Sequence, residues 1–193
     1  CRAGEKILDA CSAPGGKASH LMELNPNIEI TAMDVDPDRM IKVRDNFDRL
    51  GFSAKTCIGD ASSASNWFEK NCFDQILADV PCSTLGVVRR NPDIKVLRRP
   101  EDIDSFAALQ TNIIQGLWPL LKPNGHLLYA TCSILSQEND EVISRLIQSH
   151  KDCEHVLIKG GWGFSTQYGR QLIQTTDAHD GMFFSLLRKT RNM

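Results

Sequence analysis

The stretch KILDACSAPGGK, residues 6–17, decides the fold of this chain. It begins with a short apolar run that ends at Asp9, and a turn of small residues with Pro14 and two glycines follows. Residues 17–24 then have the character of a helix. A strand, a glycine turn and a helix in this order predict the first unit of an α/β sheet. The turn lacks the three spaced glycines of G-x-G-x-x-G, which excludes an NAD-dependent dehydrogenase.

Strand and helix patterns alternate through the rest of the chain. Asp36 is placed to cap a helix that has Pro37 at its first position and stops at Gly51. Further helices are predicted from an apolar face within residues 106–120 and from Ser136 as the cap of a later segment. We predict strands at residues 6–9, 28–34, 54–58, 73–78, 126–131, 153–158 and 182–187, whereas residues 160–170 show no assignable pattern. This alternation predicts an α/β fold with a seven-stranded, mostly parallel sheet and helices on both faces.

The composition is that of a soluble globular protein. With 193 residues, 41% hydrophobic and 24% charged, we predict one domain that spans residues 1–193. The seven cysteines are scattered and form no C-x-x-C pair, which argues against disulfides and zinc and favours a reducing cytoplasm. The histidines lack metal-ligand spacing, so we expect no metal. No apolar run of about 18 residues occurs, so we expect no membrane span.

Acidic residues follow successive strands of the predicted sheet. Asp34 ends the second strand, where a carboxylate can accept both hydroxyls of a ribose, and Asp60 follows the third, near the place of an adenine amino group. The carboxyl ends of parallel strands meet at one edge of a sheet, where ligands bind. We therefore predict a nucleoside ligand that lacks phosphates.

Two cysteines occupy similar positions after the fourth and fifth strands. Cys82 lies in DVPCS, and Cys132 lies in ATCS. Taken alone, a buried cysteine more often packs as a small hydrophobic residue. Together with CSAPGGK at residues 11–17, however, these motifs resemble, in the right order, the RNA cytosine-C5 methyltransferases of the Nol1/Nop2/Sun group. GVVRRNPDIKVLRR and DGMFF further resemble the bacterial members that act on small-subunit ribosomal RNA.

The resemblance covers nearly the whole chain and implies a Rossmann-like, S-adenosylmethionine-dependent methyltransferase fold. The implied reaction is methyl transfer from S-adenosylmethionine to C5 of a cytosine in RNA, with 16S ribosomal RNA as the expected substrate. In this resemblance Cys132 attacks C6 covalently, Cys82 assists release and Asp79 holds the pyrimidine edge. The implied cofactor-binding residues are Cys11, Ser12, Ala13, Pro14, Gly15, Gly16, Lys17, Asp34, Asp60 and Asp79, although the Cys11 side chain itself has the features of a packing residue. We expect a monomer.

Two features outside the motifs bear on the substrate. The net charge of −2 gives no global case for nucleic acid, so RNA binding must be local. A basic run directly after DVPCST would edge the cleft and is predicted to contact RNA phosphates; its residues are Arg89, Arg90, Lys95, Arg98 and Arg99. Such a run is more often a solvated face. The chain starts without methionine, so we expect an N-terminal RNA-binding region, which the resemblance implies, to be missing.

Several alternatives remain open from the residues alone. Lys17 could stabilise a carboxylate, lower the pKa of a thiol, or simply be solvated. A DNA cytosine methyltransferase would use Cys82 as its nucleophile and leave ATCS without a role. A small-molecule methyltransferase would share Asp34 and Asp60 but would not need two thiols. An inert RNA-binding module would need neither the thiols nor the cofactor loop.

Overall fold

The computed structural model describes residues 1–174 and 179–191. Nine strands lie in these residues: β1 (Lys6–Asp9), β2 (Glu29–Asp34), β3 (Lys55–Ile58), β4 (Phe73–Asp79), β5 (Leu121–Thr131), β6 (Cys153–Val156), β7 (Phe164–Ser165), β8 (Arg170–Leu172) and β9 (Met182–Lys189). The helices are α1 (Gly16–Leu24), α2 (Pro37–Leu50), α3 (Ile94–Leu97), α4 (Pro100–Leu117) and α5 (Asp140–Ser149), with 3₁₀ turns at residues 61–66, 85–87, 118–120 and 136–138.

The sheet has the strand order β3-β2-β1-β4-β5-β9-β8-β7, and β6 pairs with β9 beyond the end of β8. The strands β1 to β5 pair in parallel, and β9 runs antiparallel to β5. The order reverses between β1 and β4, and open α/β sheets bind ligands outside the carboxyl ends at such a point. The fold therefore places the crevice between the ends of β1 and β4.

The two faces of the sheet bury two separate cores, because successive residues of a strand point to opposite faces. In β1, Ile7 packs with apolar residues of α1 and α2, such as Val43. Its neighbour Leu8 packs on the other face, in the core that includes Ile114 of α4 and Val142 of α5. Helices thus cover both faces, as predicted.

The α2 helix shows the predicted local signals. The Asp36 carboxylate accepts hydrogen bonds from the backbone N–H groups of Asp38 at 2.8 Å and Arg39 at 3.2 Å. At the other end, Gly51 has φ of +71°, a left-handed conformation that glycine adopts without a Cβ penalty. Pro37 is the first residue of the helix.

All seven predicted strands are present, but some boundaries were wrong. The sheet has nine strands in the described residues, not the predicted seven, because residues 164–165 and 170–172 form the additional strands β7 and β8. β5 begins at Leu121 rather than residue 126, because residues 122–125 bulge out between two stretches paired with β4. Ser136 does not cap α5: it lies in a separate 3₁₀ turn, and Asn139, at φ −114° and ψ −101°, separates that turn from the helix.

Within residues 1–174 and 179–191, no helix is long and apolar enough to cross a bilayer. The same residues contain no group of three or more His, Cys, Asp or Glu side chains that could hold a metal ion.

Candidate active site

The loop between β1 and α1 is anchored to the neighbouring β2–α2 unit. The Ser12 backbone N–H donates to the Met33 carbonyl at 2.9 Å, and the Ala13 N–H donates to Asp34 Oδ2 at 3.0 Å. From α2, Arg39 Nη2 donates to the Ala13 carbonyl at 2.8 Å. These bonds fix the backbone of the loop at the edge of the crevice.

Asp34 has a structural role in addition to its predicted binding role. Its carboxylate is buried and accepts two backbone N–H groups, from Ala13 at 3.0 Å and from Asp36 at 3.1 Å. Each carboxylate oxygen has two acceptor sites, so the same oxygens keep capacity for ribose hydroxyls. Asp60 is exposed, and its Oδ1 accepts the Ser62 N–H at 2.8 Å.

The two glycines of the loop have different surroundings. Gly15 has φ of +96°, and a Cβ added there would lie 3.3 Å from Val43 of α2. Gly16, the first residue of α1, has no atom within 4 Å of such a Cβ. Gly15 therefore lets the loop pack against α2, while Gly16 leaves open space at the N-terminus of α1.

Asp9, the last residue of β1, is a buried carboxyl group without a hydrogen-bond partner. It is 1% exposed, and neither oxygen is bonded in the structure. Burial raises its pKa from 3.8 to about 7; the nearby Ser12 hydroxyl, which is outside hydrogen-bond geometry, and the Lys17 charge lower it, and the charges of Asp79 and Asp34 raise it. Asp9 was not among the residues predicted to bind the cofactor. A buried acid without a hydrogen-bond partner marks a place where a polar or cationic group of a ligand could supply that partner.

Lys17 and Asp79 form an ion pair between the start of α1 and the end of β4. The Lys17 Nζ atom lies 2.5 Å from Asp79 Oδ2, and the two side chains are 46% and 29% exposed. Of the roles left open for Lys17, the structure shows the contact with a carboxylate. The pair links the start of α1 to β4, the strand that leads to Cys82.

The two thiols meet at the carboxyl ends of β4 and β5. Cys82 Sγ lies 3.3 Å from Cys132 Sγ, with Cys82 buried and Cys132 partly exposed. The hydrogen bond from Cys82 lowers the pKa of the Cys132 thiol, against the opposing effects of burial and of Asp79. The same bond, together with burial, raises the pKa of Cys82. Of the two thiols, Cys132 is therefore the one that ionises more readily, and its thiolate would accept a hydrogen bond from a protonated Cys82.

Several side chains fix the loops around the thiols. Gln110 Nε2 donates to the Pro81 carbonyl at 2.9 Å, and Arg98 Nε donates to the Ser83 carbonyl at 2.9 Å. The Gly86 N–H donates to the Cys132 carbonyl at 2.8 Å. Sequence reasoning missed Gln110 and also Glu138, which binds both loops, because neither belongs to a motif.

The predicted RNA-binding run is divided in the structure. Arg98 is engaged with the Ser83 carbonyl, and its guanidinium lies 5.1 Å from the centre of the Phe106 ring. Arg90 pairs with Asp180 at 2.9 Å. The side chains of Arg89, Arg90, Lys95 and Arg99 are exposed. The run thus supplies both a support for the Cys82 loop and an exposed basic edge.

Comparisons with known sequences agree on one family. The family model described as "16S rRNA methyltransferase RsmB/F" matches residues 1–188. The protein named ribosomal RNA small subunit methyltransferase B from Erwinia tasmaniensis is 46% identical over 188 residues, which are 97% of this chain and 43% of that protein. The protein of the same name from Vibrio cholerae is 43% identical over 97% of this chain and 42% of its own length. The chain thus spans less than half the length of these relatives.

Solved structures give the same picture. The crystal structure of PH0851 superposes with a TM-score of 0.93 at 31% identity, over 97% of this chain and 43% of that one. NSun6 from Pyrococcus horikoshii, solved with SFG, superposes with a TM-score of 0.84 at 28% identity, over 97% of this chain and 48% of that one.

Proposed function

We propose, from the premise that the chain belongs to the 16S rRNA methyltransferase RsmB/F family, that it methylates C5 of a cytosine in small-subunit ribosomal RNA. The methyl donor in this proposal is S-adenosylmethionine, and the reaction passes through a covalent bond between Cys132 and C6. The observation that carries the proposal is the 3.3 Å contact between Cys82 Sγ and Cys132 Sγ, with pKa shifts in opposite directions.

The residues around the crevice fit the proposed donor. When bound, S-adenosylmethionine supplies an electrophilic methyl group on a sulfonium centre. Asp34 and Asp60 would hold the ribose and the adenine. The open space at Gly16 would let the ligand approach the N-terminus of α1. The unpartnered Asp9 carboxyl group would compensate a cationic group. NSun6, solved with SFG, an analogue of S-adenosylmethionine, supports this choice.

The Cys132 thiolate begins the proposed reaction by adding to C6 of the cytosine. The electrons of the C5–C6 double bond then make C5 nucleophilic enough to take the methyl group. The covalent addition thus divides one difficult step into two easier ones. Asp79 holds the pyrimidine edge, and Lys17 fixes the Asp79 carboxylate. Loss of the C5 proton and expulsion of Cys132 restore the double bond and the free thiolate.

Cys82 is suited to the release step for an electrostatic reason. The hydrogen bond with Cys132 is the main cause of the raised pKa of Cys82, followed by burial and by the negative charge of Cys132. Once Cys132 is bonded to C6 it carries no charge, so the pKa of Cys82 falls. Cys82 can then lose its own proton to solvent and accept the C5 proton as a thiolate. The release group is thus held protonated before attack and becomes a base after it.

The alternative functions fit these observations less well. An arrangement of the DNA-enzyme type needs Cys82 as the attacking thiolate, yet Cys82 is the buried thiol with the raised pKa. A small-molecule methyltransferase gives no role to a second thiol. An inert binding module gives no role to the lowered pKa of Cys132.

The experiment that tests the proposal compares two thiol variants with RNA and S-adenosylmethionine. Cys132→Ala should abolish methyl transfer and form no RNA adduct. Cys82→Ala should still attack and methylate, and then accumulate protein covalently linked to methylated RNA on denaturing gels. Cys153→Ala, at a free thiol in β6, is the matched control and should behave as the wild type. An adduct with Cys132→Ala and none with Cys82→Ala would reverse the roles.

The setting and extent of the activity belong to the same proposal. All seven cysteines are free in the structure, which fits a reducing cytoplasm. We propose that residues 1–193 act as one catalytic domain and as a monomer, which size-exclusion chromatography with light scattering would test.

A further inference from the structure

One buried carboxylate, that of Glu138, joins the two loops that carry the thiols. Its Oε2 atom accepts hydrogen bonds from the Ser83 and Ser133 hydroxyls, both at 2.5 Å. Its Oε1 atom accepts the Ser83 backbone N–H at 2.7 Å and Gln110 Nε2 at 3.0 Å. Each serine is the residue that directly follows one of the two thiols. A single side chain is therefore bonded next to both reactive groups.

The burial of this carboxylate calls for a physical reason. Glu138, Ser83, Ser133 and Gln110 are all 0% exposed. Removing a carboxylate from water is unfavourable, and an apolar side chain of similar volume would often fill such a site at no loss of stability. The four neutral donors compensate the charge, although the side-chain oxygen of Gln110 is left without a partner, and buried hydrogen bonds of this kind hold the groups that they join in one arrangement. The arrangement held here is that of the two thiol loops.

Because Glu138 is bonded to both thiol loops, it constrains the position of each loop relative to the other. The Ser83 and Ser133 hydroxyl oxygens lie 3.3 Å apart on the same carboxylate oxygen, and the neighbouring thiols are also 3.3 Å apart. A shift of either serine must therefore move the thiol beside it. If the Glu138 carboxylate did not accept from both serines, fewer hydrogen bonds would join the loops after β4 and β5 near the thiols.

We infer that Glu138 is a positioning residue for the proposed methyl transfer, and that it sets the spacing of Cys82 and Cys132 by binding the serine after each. The effect of Glu138 on catalysis rests on the proposed function. Its effect on the spacing of the two thiols does not. Glu138 acts through Ser83 and Ser133.

The reactivity of Cys132 distinguishes positioning from a simple charge effect. The hydrogen bond from Cys82 is the largest influence that lowers the pKa of Cys132, and the negative charge of Glu138 slightly raises it. Loss of the charge alone should therefore lower the pKa of Cys132. Loss of the spacing should raise it towards the ordinary value, because the Cys82 hydrogen bond weakens. The two explanations predict opposite signs.

The first measurement is the pH dependence of Cys132 alkylation by iodoacetamide, followed by peptide mass spectrometry. In Glu138→Met, which keeps the length of the side chain but accepts none of the four hydrogen bonds, the pKa of Cys132 should rise. An unchanged or lowered pKa in the folded variant would overturn the inference. If Glu138→Met fails to fold, Ser133→Ala removes one of the four bonds to Glu138, together with the bond that the Ser133 hydroxyl accepts from the Leu135 N–H and its contact with the Ser83 hydroxyl, and is judged by the same sign.

The second measurement is steady-state kinetics of RNA methylation. Glu138→Met should lower kcat by roughly a hundredfold, the scale expected for a displacement near 1 Å, while KM for S-adenosylmethionine stays unchanged. Glu138→Gln, which keeps the shape and one acceptor, should lose less. Glu141→Gln, at an exposed carboxylate in the first turn of α5, is the matched control and should keep the wild-type kcat. A wild-type kcat in folded Glu138→Met would refute the role.

The two measurements separate this inference from the proposed function. If the wild-type chain alkylates at a lowered pKa but methylates no RNA, the proposed function fails. The positioning of the thiols is then still decided by the sign of the pKa change.

Discussion

At the scale of the residue, Asp9 combines deep burial with two unbonded carboxylate oxygens. Its pKa is raised from 3.8 to about 7 because burial disfavours the charged form. The folded state therefore binds a proton more tightly than the unfolded chain does. Between pH 4 and pH 7 the unfolded state loses this proton first, so the stability of the fold declines as the pH rises.

Asp9→Asn should remove this pH dependence. Above pH 7 the variant should be more stable than the wild type, by up to about 4 kcal/mol for three pKa units at 1.36 kcal/mol each. Well below pH 3.8, where Asp9 is protonated in both states, the difference should vanish. Urea unfolding at several pH values measures the free energy of unfolding, and calorimetry should show weaker S-adenosylmethionine binding.

The control for this variant is Asp45→Asn, at an exposed position of α2. It should change neither the pH dependence of stability nor the affinity for the donor. Equal stability of Asp9→Asn and the wild type at pH 8 would contradict the raised pKa.

The position of Asp34 could be predicted from the sequence, because alternating strands and helices bring the carboxyl ends of parallel strands to one edge. Its bonds to the backbone of Ala13 and Asp36 could not. Those bonds depend on the conformation of the glycine loop, which the letters of the motif do not specify. A residue assigned only to a ligand thus also holds the loop in place.

Glu138 was missed for a related reason. It lies outside the quoted motifs, and its partner Ser83 is 55 positions earlier in the chain. Sequence patterns report periodicity within an element, whereas this contact exists only once β4 and β5 are paired. The hydroxyl residues beside each thiol were visible, but not their shared acceptor.

At the scale of the element, the 3₁₀ turn at residues 85–87 is wedged against the loop of the second thiol. Gly86 donates its N–H to the Cys132 carbonyl at 2.8 Å and accepts the Gly181 N–H at 2.8 Å. A Cβ at Gly86 would lie 2.3 Å from the Gly181 oxygen and 2.7 Å from the Cys132 oxygen. The close approach of three backbone segments therefore requires glycine there.

Gly86→Ala should force these segments apart. We expect a loss of about 1–3 kcal/mol in the free energy of unfolding, as for overpacked sites, and a fall in kcat because the Cys132 carbonyl loses its donor. Thermal unfolding and methylation assays measure the two effects. Gly161→Ala, at a glycine with no atom within 4 Å of the added Cβ, is the control and should change neither. Wild-type stability in Gly86→Ala would show that the turn is not tightly held.

Helices and strands with a clear period of apolar residues were predictable from the sequence, whereas short strands that exist only through pairing with a neighbouring strand were not. The strands β1 to β5 and helix α2 carry apolar patterns and caps that the sequence displays. β7 has only two residues and β8 three, so neither shows a period, and each exists through pairing with a neighbour. The start of α5 was misplaced because Asn139 and Glu138 bond to the thiol loops and interrupt the helix.

At the scale of the whole molecule, the basic segment of residues 89–99 is the structural basis for the proposed RNA contact. The chain carries a net charge of −2, so its overall field does not attract RNA. Arg98 supports the Cys82 loop, which leaves Arg89, Arg90, Lys95 and Arg99 as the exposed positions. Binding should then involve few phosphates.

This count predicts a shallow salt dependence of RNA binding. Four phosphate contacts on a single strand, which require Arg90 to give up its ion pair with Asp180, set an upper limit near −3 for the slope of log K against log salt, at about −0.7 per contact. Lys95→Ala should weaken binding for all RNA sequences alike and reduce the steepness of the slope by about 0.7, because a phosphate contact carries no sequence information. Lys55→Ala, at an exposed lysine of β3, is the control and should leave the slope unchanged. Fluorescence anisotropy over a salt series measures the affinity and the slope. A much steeper slope, or a slope that Lys95→Ala does not alter, would place the RNA contact elsewhere on the molecule.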